Sequence, residues 1–334
     1  MAKRLLFRTI FCSNSIKIKP KNSILNNSQC NHLHTKVETK EITIPFPYGH
    51  IAAKVWGSDQ DRPILALHGW QDNAGTWDTL APMLCQNRSI MAIDFPGHGY
   101  SSWIPPGMHY YPWELPRLIL YLKDYFQWDK VSMLSHSMGS IASLRFGSVF
   151  PDDVDFYIAI DSLIYDDFDL NQVVERYPSI LKKLRLAQTR LDVEPPSYTK
   201  DEIAKKWHLG TNKSVSLEST QYLMKRGLKQ SSKDPNKYYF SRDSRLKYSM
   251  FKPENKQFVE ALVRRLKCPT LYVKAIDSPY ASDEFSVQMR EIIEQNNENY
   301  EIHFVPGTHH VHLNNPELIA PLILNFLRKY NLKI

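Results

Sequence analysis

Short apolar segments alternate with longer segments of helical periodicity along most of this chain, and no other feature constrains its fold as strongly. Eight of the short segments are rich in β-branched and aromatic residues and are bounded by turn-forming residues. Such an alternation is typical of a mostly parallel sheet flanked by helices. We therefore predict an α/β fold with one eight-stranded sheet, whose strands cover residues 41–45, 51–56, 63–67, 89–93, 130–134, 155–160, 270–274 and 300–304.

The strand pattern is interrupted once, between residues 163 and 266. This block is charged, contains many tyrosines and is mainly helical in its periodicity. It is too long for a connecting loop within a compact domain, where loops of more than roughly 15 residues are uncommon. We expect a helical cap here, inserted between the sixth and seventh strands of a core formed by residues 38–162 and 267–334.

The net charge of the chain is concentrated at its amino terminus. The 334 residues include 42 Lys and Arg and 35 Asp and Glu, which gives a formal net charge of +7. Residues 1–37 contain seven of the basic residues and no acidic residue, so residues 38–334 carry equal numbers of both. Because a nucleic-acid-binding domain is expected to carry a basic patch or stripe, a neutral folded region argues against nucleic-acid partners.

The first residues read MAKRLLFRTIF and are followed by a segment rich in Ser and Asn. A basic, acid-free amphipathic start is typical of a mitochondrial transit peptide, so we expect residues 1–37 to be an import signal and the protein to be mitochondrial. The alternative is a disordered tail on a cytoplasmic or peroxisomal protein. A secretory signal is disfavoured because Arg8 divides the apolar stretch. Fusing residues 1–37 to a fluorescent protein tests this expectation, and a fusion that stays cytosolic contradicts it.

Cysteine usage and hydropathy narrow the class of protein further. The four cysteines, Cys12, Cys30, Cys85 and Cys268, form no CxxC pair and no zinc-site spacing, so we expect no disulfide framework, no metal and no cofactor. Cys85 and Cys268 are expected to be small buried or half-buried side chains. No sequence stretch contains the roughly eighteen consecutive apolar residues that crossing a bilayer requires.

One strand-turn-helix segment carries a candidate nucleophile. Residues 130–147 read KVSMLSHSMGSIASLRFG, an apolar run followed by small residues and a helical pattern. Ser137 lies at the turn, within Ser-His-Ser-Met-Gly, a variant of the Gly-x-Ser-x-Gly motif in which a strained turn exposes the serine hydroxyl. Ser135 replaces the first glycine and is small enough to fit there. The alternative interpretation is a serine-rich helix start whose hydroxyls cap backbone N–H groups.

The order of these segments resembles the α/β-hydrolase superfamily, and within it the serine hydrolase-like, Kraken-type group. The resemblance runs from about residue 44 to the carboxyl terminus. It rests on His-Gly-Trp at residues 68–70, on DFPGHG at residues 94–99, on the Ser137 turn and on the cap. It implies a serine nucleophile after the fifth strand, an acid after a late strand and a histidine after the last strand.

The resemblance also implies the other members of a Ser-His-Asp triad. The run VPGTHHVHLNNPE at residues 305–317 implies His309 as the base, with His310 as the adjacent alternative. Asp277, in the loop after the strand at 270–274, is the implied acid, and Asp161 at the end of an earlier strand is its rival. A serine hydroxyl needs such a base to take its proton, and the base needs a third group to orient it.

By the same resemblance, the backbone N–H groups of Trp70 and Met138 form an oxyanion hole, which contributes several kcal/mol to reactions of this kind. Trp70 is expected to wall the acyl pocket, together with Trp77 and Trp103, and the alternative is that each tryptophan belongs to the ordinary core. The cap is expected to add Tyr198, Tyr222, Tyr238 and Tyr239 to the pocket. The residues expected to be structural are His68, Asp94, His98 and His312.

The cap also contains the run FSRDSRLK, which resembles a cap motif of the family. We expect Arg242 and Asp243 to form an ion pair within the cap, and contact of this pair with substrate is the alternative.

These assignments favour acyl transfer to water, because Ser137 takes the place where epoxide hydrolases and haloalkane dehalogenases carry an aspartate. We expect a carboxylesterase-like serine hydrolase (EC 3.1) that cleaves an ester or thioester of a small apolar acyl substrate through an acyl-enzyme intermediate. The alternatives are a carbon–carbon bond hydrolase with the same triad and a non-catalytic ligand binder with this fold. The sequence leaves the natural substrate and the oligomeric state open.

Overall fold

The computed structural model describes residues 37–58, 62–86, 88–167, 169–248 and 254–332. The predicted import segment therefore lies outside the described residues, apart from Val37. The described residues all belong to one unit, Val37–Ile334. In this described part of the chain, no helix has both the length and the apolar character that crossing a membrane requires.

All eight predicted strands are present, and a short additional pair lies in the inserted segment. In chain order the ten strands are β1 (Thr39–Phe46), β2 (Gly49–Trp56), β3 (Ile64–Leu67), β4 (Ile90–Ile93), β5 (Val131–His136), β6 (Val154–Ile160), β7 (Leu228–Gln230), β8 (Tyr238–Phe240), β9 (Thr270–Ala275) and β10 (Tyr300–Val305). Eight of them form one sheet in the order β1-β2-β4-β3-β5-β6-β9-β10. β2 runs antiparallel to β1 and β4, and the remaining pairs of neighbours are parallel. The predicted fold class is confirmed.

Helices cover both faces of the sheet. In chain order the described helices are α1 (Ala81–Leu84), α2 (Glu114–Tyr125), α3 (Met138–Val149), α4 (Leu170–Gln188), α5 (Lys200–Gly210), α6 (Thr220–Gly227), α7 (Lys256–Val263), α8 (Glu284–Asn296), α9 (Val311–Asn314) and α10 (Pro316–Lys329). One apolar cluster joins the sheet to α2, α3, α7 and α8, and a second joins its other face to α1 and α10.

The central strands show why the sheet can be predicted from the sequence. β3, β4 and β5 are buried along their whole length. Strands covered by helices on both faces appear as continuous apolar runs rather than as alternating patterns. The two cysteines within the described residues, Cys85 and Cys268, are buried free thiols, as predicted.

The inserted segment has a small apolar cluster of its own. Ile203 and Trp207 of α5 and Leu223 of α6 pack there with Leu313 from α9. The hairpin of β7 and β8 was not predicted, because each strand has only three residues and β7 reads LKQ without an apolar run. α7 packs with the sheet's own apolar cluster, so the cap boundary predicted at residue 266 lies too far along the chain.

The segment is attached to the core by polar contacts near the carboxyl ends of the strands. Arg226, the residue before the end of α6, forms a buried ion pair with Asp94 at 2.8 Å. The Asp243 N–H donates to the carbonyl oxygen of Gly97 at 2.8 Å. These contacts fix the segment over the sheet edge where parallel-sheet proteins place their ligand sites.

Candidate active site

Ser137 occupies the tight turn between β5 and α3. β5 ends at His136 and α3 begins at Met138, so a single residue joins them. Its backbone has φ 53° and ψ −120°, a region that residues other than glycine rarely adopt. Gly139 permits the close approach of α3, since a Cβ atom there would lie 2.4 Å from the carbonyl oxygen of Leu67. This is the strained strand-turn-helix geometry that the motif predicts.

Ser135, which takes the place of the motif's first glycine, is fully buried and its hydroxyl is satisfied. Its Oγ lies 2.6 Å from the Oγ of Ser143 on α3. Its carbonyl oxygen accepts a 2.8 Å hydrogen bond from the Ser140 hydroxyl. A buried hydroxyl without a partner costs about 1–3 kcal/mol. The expectation that serine fits here is confirmed, and Ser143, which the motif does not include, provides the partner.

The loop after β10 brings His309 to Ser137. The His309 Nε2 lies 2.9 Å from the Ser137 Oγ, and the histidine is buried. The adjacent His310 points elsewhere, because its Nδ1 lies 2.8 Å from the Ser214 Oγ and its Nε2 lies 3.9 Å from the Asp72 Oδ2. Of the two candidate bases, the geometry selects His309.

His136 fixes the backbone that carries His309. Its Nε2 lies 2.9 Å from the carbonyl oxygen of His309, and this nitrogen must carry a proton to donate to a carbonyl oxygen. Burial lowers the pKa of His136 well below 6.5, so the imidazole is neutral and its Nδ1 is unprotonated. Sequence reasoning missed this residue, because the motif leaves the position before the serine unspecified.

Asp161, and not Asp277, is the carboxyl group beside His309. The Asp161 Oδ2 lies 2.6 Å from the His309 Nδ1, and the aspartate is fully buried. Asp277 is exposed, and its Oδ2 accepts a 3.1 Å hydrogen bond from the N–H of Gly307. The prediction that Asp277 pairs with the histidine is therefore wrong, and the alternative, Asp161, takes that position.

The sheet order explains this correction. β6 and β9 are adjacent parallel strands, so their carboxyl ends reach the same edge of the sheet. Asp161 directly follows β6, with φ 55°, and its N–H donates to the carbonyl oxygen of Val273 on β9 at 2.8 Å. The loop after β9 instead turns toward the loop after β10, where the Asp277 N–H donates to the Gly307 carbonyl oxygen at 3.0 Å. Asp277 therefore supports the histidine loop rather than the histidine ring.

Lys274 completes the surroundings of Asp161. Its Nζ lies 3.0 Å from the Asp161 Oδ1, which also accepts a 2.9 Å hydrogen bond from the Ala275 N–H. The same ammonium donates to the carbonyl oxygens of Ala275 at 2.6 Å and Ser278 at 3.2 Å. A lysine in the otherwise apolar run LYVKA was the available sequence signal, since a buried ammonium needs an acidic partner nearby.

A cavity of about 450 Å³ opens above Ser137 between the sheet edge and the inserted segment. This volume lies within the range of small-molecule sites. Trp70 and Met138, the residues predicted to supply oxyanion N–H groups, both line it. Other apolar and aromatic residues that line it are Ile141, Ile164, Tyr165, Trp207 and Tyr280.

The expectation about which aromatic residues wall the cavity is only partly correct. Trp77 is fully buried in the core, and the Trp103 indole donates to the Ser241 carbonyl oxygen at 3.2 Å. Neither is among the described lining residues, and the same holds for the four tyrosines predicted from the cap. Three of those tyrosines pack against the cap's own apolar cluster: Tyr198, Tyr222 and Tyr238.

The predicted ion pair of Arg242 and Asp243 is not formed. Asp243 pairs with Arg245 at 2.6 Å. Arg242 lines the cavity.

His68, Asp94 and His98 lie in the two loops beside the cavity and make structural contacts, as expected. The His98 Nε2 accepts a 3.1 Å hydrogen bond from the Gln71 N–H, and the Asp94 Oδ1 accepts one of 2.7 Å from the Ala74 N–H. The His68 ring is fully buried 4.9 Å from that of His98. Burial lowers the pKa of both histidines to about 3, so both are neutral acceptors that hold the loop carrying Trp70.

Three side chains beside Ser137 form a group that can hold a metal ion. Potential ligand atoms of Asp72, His136 and His310 lie within 4.8 Å of one another, and all three residues are buried. His312 packs behind them, with its ring 4.1 Å from that of His136. The spacing of these positions in the sequence gives no sign of such a group, because the end of β5 and the loops after β3 and β10 bring the residues together.

Comparisons with known proteins show the family of this chain. The family model described as the alpha/beta hydrolase fold matches residues 62–316. A probable serine hydrolase of Drosophila melanogaster is 34% identical over 292 residues, which cover 87% of this chain and 88% of the relative. The chain therefore belongs to the α/β-hydrolase superfamily and, within it, to the serine hydrolase-like group.

Further relatives have similar lengths. Serine hydrolase-like protein 2 of Homo sapiens is 31% identical over 305 residues, covering 86% of this chain and 94% of the human protein. Among solved structures, a hypothetical protein of Pseudomonas aeruginosa matches with a TM-score of 0.73 at 28% identity, over 87% of this chain and 99% of that one. A thioesterase domain from the curacin biosynthetic pathway matches with a TM-score of 0.71 at 19% identity, over 86% and 99% of the two chains, which shows the shared fold.

Proposed function

We propose that this protein is a serine hydrolase that cleaves an ester or thioester, with Ser137 as nucleophile, His309 as base and Asp161 as the acid that orients the base. The observation that carries this proposal is one continuous chain of contacts. The Ser137 Oγ lies 2.9 Å from the His309 Nε2, and the His309 Nδ1 lies 2.6 Å from the Asp161 Oδ2. A serine next to a base that is held by a third group is the arrangement that activates a hydroxyl.

In the first half of the reaction, the Ser137 Oγ attacks the acyl carbon while its proton moves to the His309 Nε2. Negative charge develops on the former carbonyl oxygen, and we assign its stabilisation to the backbone N–H groups of Met138 and Trp70, two residues that line the cavity. Met138 is the first residue of α3, where backbone N–H groups have no partner within the helix. The leaving group departs with the proton from His309, and the acyl-enzyme remains.

In the second half, a water molecule attacks the acyl-enzyme and gives a proton to His309. The same oxyanion donors act again, and the Ser137 oxygen departs with the proton from His309. The products are a carboxylic acid and the free enzyme. Asp161 orients the imidazole and stabilises its protonated form, because its carboxylate accepts a hydrogen bond from the His309 Nδ1–H.

The apolar lining of the cavity supports an acyl substrate of small to moderate size. The names of relatives agree with this reaction class: an esterase of Mycobacterium tuberculosis is 30% identical over 113 residues, which cover 34% of this chain and 37% of the esterase. Relatives named serine hydrolase-like match over most of the chain.

Covalent labelling by a fluorophosphonate probe tests the proposal. The full-length protein is expected to be labelled, and the Ser137→Ala variant is expected to be folded and unlabelled. A panel of esters and thioesters of graded acyl length then measures kcat/KM. Hydrolysis that disappears in Ser137→Ala supports the assignment.

Two outcomes contradict the proposal. A folded wild-type protein that is neither labelled nor active on any member of the panel favours a ligand binder. Labelling that persists in Ser137→Ala places the nucleophile elsewhere. Circular dichroism of both proteins shows that they are folded.

A further inference from the structure

Arg242 is a positively charged side chain that lines the cavity and forms no salt bridge with any described residue. Among the described residues, it forms no ion pair and donates no hydrogen bond, and its Nε is fully enclosed. The guanidinium lies 4.1 Å from the centroid of the Phe240 ring and 5.6 Å from that of Trp207. Burial lowers the pKa of Arg242 to about 10, which leaves the side chain charged at neutral pH. Such stacking orients a guanidinium but does not neutralise it.

The residues on both sides of Arg242 are held by the protein. The Ser241 N–H donates to the carbonyl oxygen of Gly227 at 2.9 Å, and the Asp243 N–H donates to that of Gly97 at 2.8 Å. The backbone is therefore tied down on each side. The direction of Arg242 into the cavity is a built feature of this segment.

Two acids, Asp72 and Asp166, line the same cavity, and the negative charge of Asp72 only partly offsets the effect of burial on the pKa of Arg242. The Asp72 Oδ1 accepts a 2.9 Å hydrogen bond from the Asn73 N–H, and the Asp166 Oδ1 accepts one of 2.6 Å from the Ala281 N–H. Neither carboxyl group forms an ion pair with Arg242 in the described structure. Burial raises the pKa of Asp166 to about 6, so this residue carries less negative charge at neutral pH than an exposed aspartate.

We infer that the cavity binds a substrate that carries a carboxylate away from the scissile bond, and that Arg242 binds this carboxylate. The inference rests on the proposed function and names its substrate class. A guanidinium presents two N–H groups in a fork that matches a carboxylate, and a partly buried guanidinium is stabilised by such a partner. Lys206, an exposed residue that also lines the cavity, adds positive charge. The carboxylate lies either on the acyl chain or on the leaving group.

Matched pairs of esters test the inference. In the first arm, 4-nitrophenyl monoesters of glutaric, adipic and pimelic acid are compared with neutral 4-nitrophenyl esters of equal chain length. In the second arm, hexanoyl esters of phenols with and without a carboxylate are compared. Rates measured with Ser137→Ala provide the blank for spontaneous hydrolysis. The measured quantity is the ratio of kcat/KM for the acidic ester to kcat/KM for its neutral partner.

In at least one arm this ratio is expected to exceed 1 for the wild type and to fall by at least about 30-fold in Arg242→Gln, as for the loss of hydrogen bonds to a charged group. Arg242→Lys keeps the charge without the fork and is expected to give an intermediate ratio. Arg264→Gln is the matched control, because Arg264 is exposed and pairs with Glu260 at 2.7 Å on α7. The arm that responds shows which part of the substrate carries the carboxylate.

A binding measurement separates this inference from the proposed function. On the Ser137→Ala background, calorimetry with monomethyl adipate is expected to show at least about tenfold weaker binding when Arg242→Gln is added. The inference is overturned, and the proposed function stands, if the protein is labelled by the fluorophosphonate and cleaves neutral esters while Arg242→Gln leaves the acidic-to-neutral ratio unchanged in both arms. If the probe does not label the wild-type protein, binding of monomethyl adipate that depends on Arg242 supports the carboxylate site and overturns the hydrolase.

Discussion

The two walls of the cavity differ in how their charged side chains are paired. On the wall built by the sheet, Asp161 contacts His309 at 2.6 Å and Lys274 at 3.0 Å, and all three residues are buried. On the wall built by the inserted segment, Arg242 has no ionic partner among the described residues. The charged groups of the proposed triad are therefore paired within the protein, whereas Arg242 is the charge that we propose a substrate carboxylate pairs with.

The inserted segment itself sharpens this contrast. Arg226 pairs with Asp94 at 2.8 Å, and Arg245 pairs with Asp243 at 2.6 Å and donates to the Ile104 carbonyl oxygen at 2.6 Å. These two arginines attach the segment to the core and to its own turns. Because leaving a buried charge unpaired is costly, the difference between these two arginines and Arg242 supports the proposed binding of a carboxylate by Arg242.

The largest expected effect separates the two aspartates at the sheet edge. Asp161→Asn is expected to lower kcat/KM by roughly 10³–10⁴-fold, because the amide cannot hold the imidazole in the required tautomer. Asp277→Asn is expected to lower it by less than about threefold, since its carboxyl group contacts only the Gly307 backbone. Steady-state kinetics on one neutral ester measures both effects.

Fluorophosphonate labelling rates and thermal unfolding serve as controls for these two variants. If Asp277→Asn caused the large loss while Asp161→Asn stayed near the wild-type rate, the assignment of the acid from this geometry would be wrong.

The next effect concerns the stability of the sheet wall. Lys274→Met leaves the buried Asp161 without its ion-pair partner and is expected to lower the free energy of unfolding by about 3–5 kcal/mol. Lys256→Met removes an ion pair with Asp167 in which both side chains are about half exposed, and is expected to cost less than about 1 kcal/mol. Urea unfolding followed by circular dichroism measures both values. Equal costs for the two lysines would contradict the pairing difference described here.

The smallest expected effect is a dependence of stability on pH that comes from the sheet wall. Burial lowers the pKa of five histidines there: His68, His98, His136, His310 and His312. Below about pH 6.5 the unfolded chain binds protons at these positions and the folded protein does not, so stability is full above pH 6.5 and falls toward pH 3. Asp72 and Asp166, whose pKa values burial raises, act in the opposite direction.

Because the histidines outnumber those aspartates, the free energy of unfolding is expected to fall by at least about 2 kcal/mol between pH 7 and pH 5. Urea midpoints at pH 7, 6 and 5 measure this change. A protein that is equally stable or more stable at pH 5 would show that these imidazoles are not buried in neutral form.

Most of the fold was predictable because its signals are local. The apolar runs predicted all eight strands of the sheet. Ser137 and His309 were also predictable, since each lies in a motif with its own turn residues. The hairpin of β7 and β8 was missed, because three-residue strands carry too short a pattern to be distinguished from a loop.

The choice of the acid depended on the tertiary structure. β6 and β9 both end at one edge of the sheet, and the sequence does not show which of the following carboxyl groups faces the histidine. The same limit applies to Ser143 beneath the serine turn and to Arg242, whose sequence neighbour Asp243 is engaged by Arg245 instead.

The sequence by itself determined the class of fold, the nucleophile turn and the histidine, because these depend on periodicity and on residues close together in the chain. The tertiary structure alone decided that Asp161 contacts His309 and that the Arg242 Nε has no hydrogen-bond partner among the described residues. Both depend on contacts between residues far apart in the chain, and those contacts form only when the sheet and the inserted segment have packed.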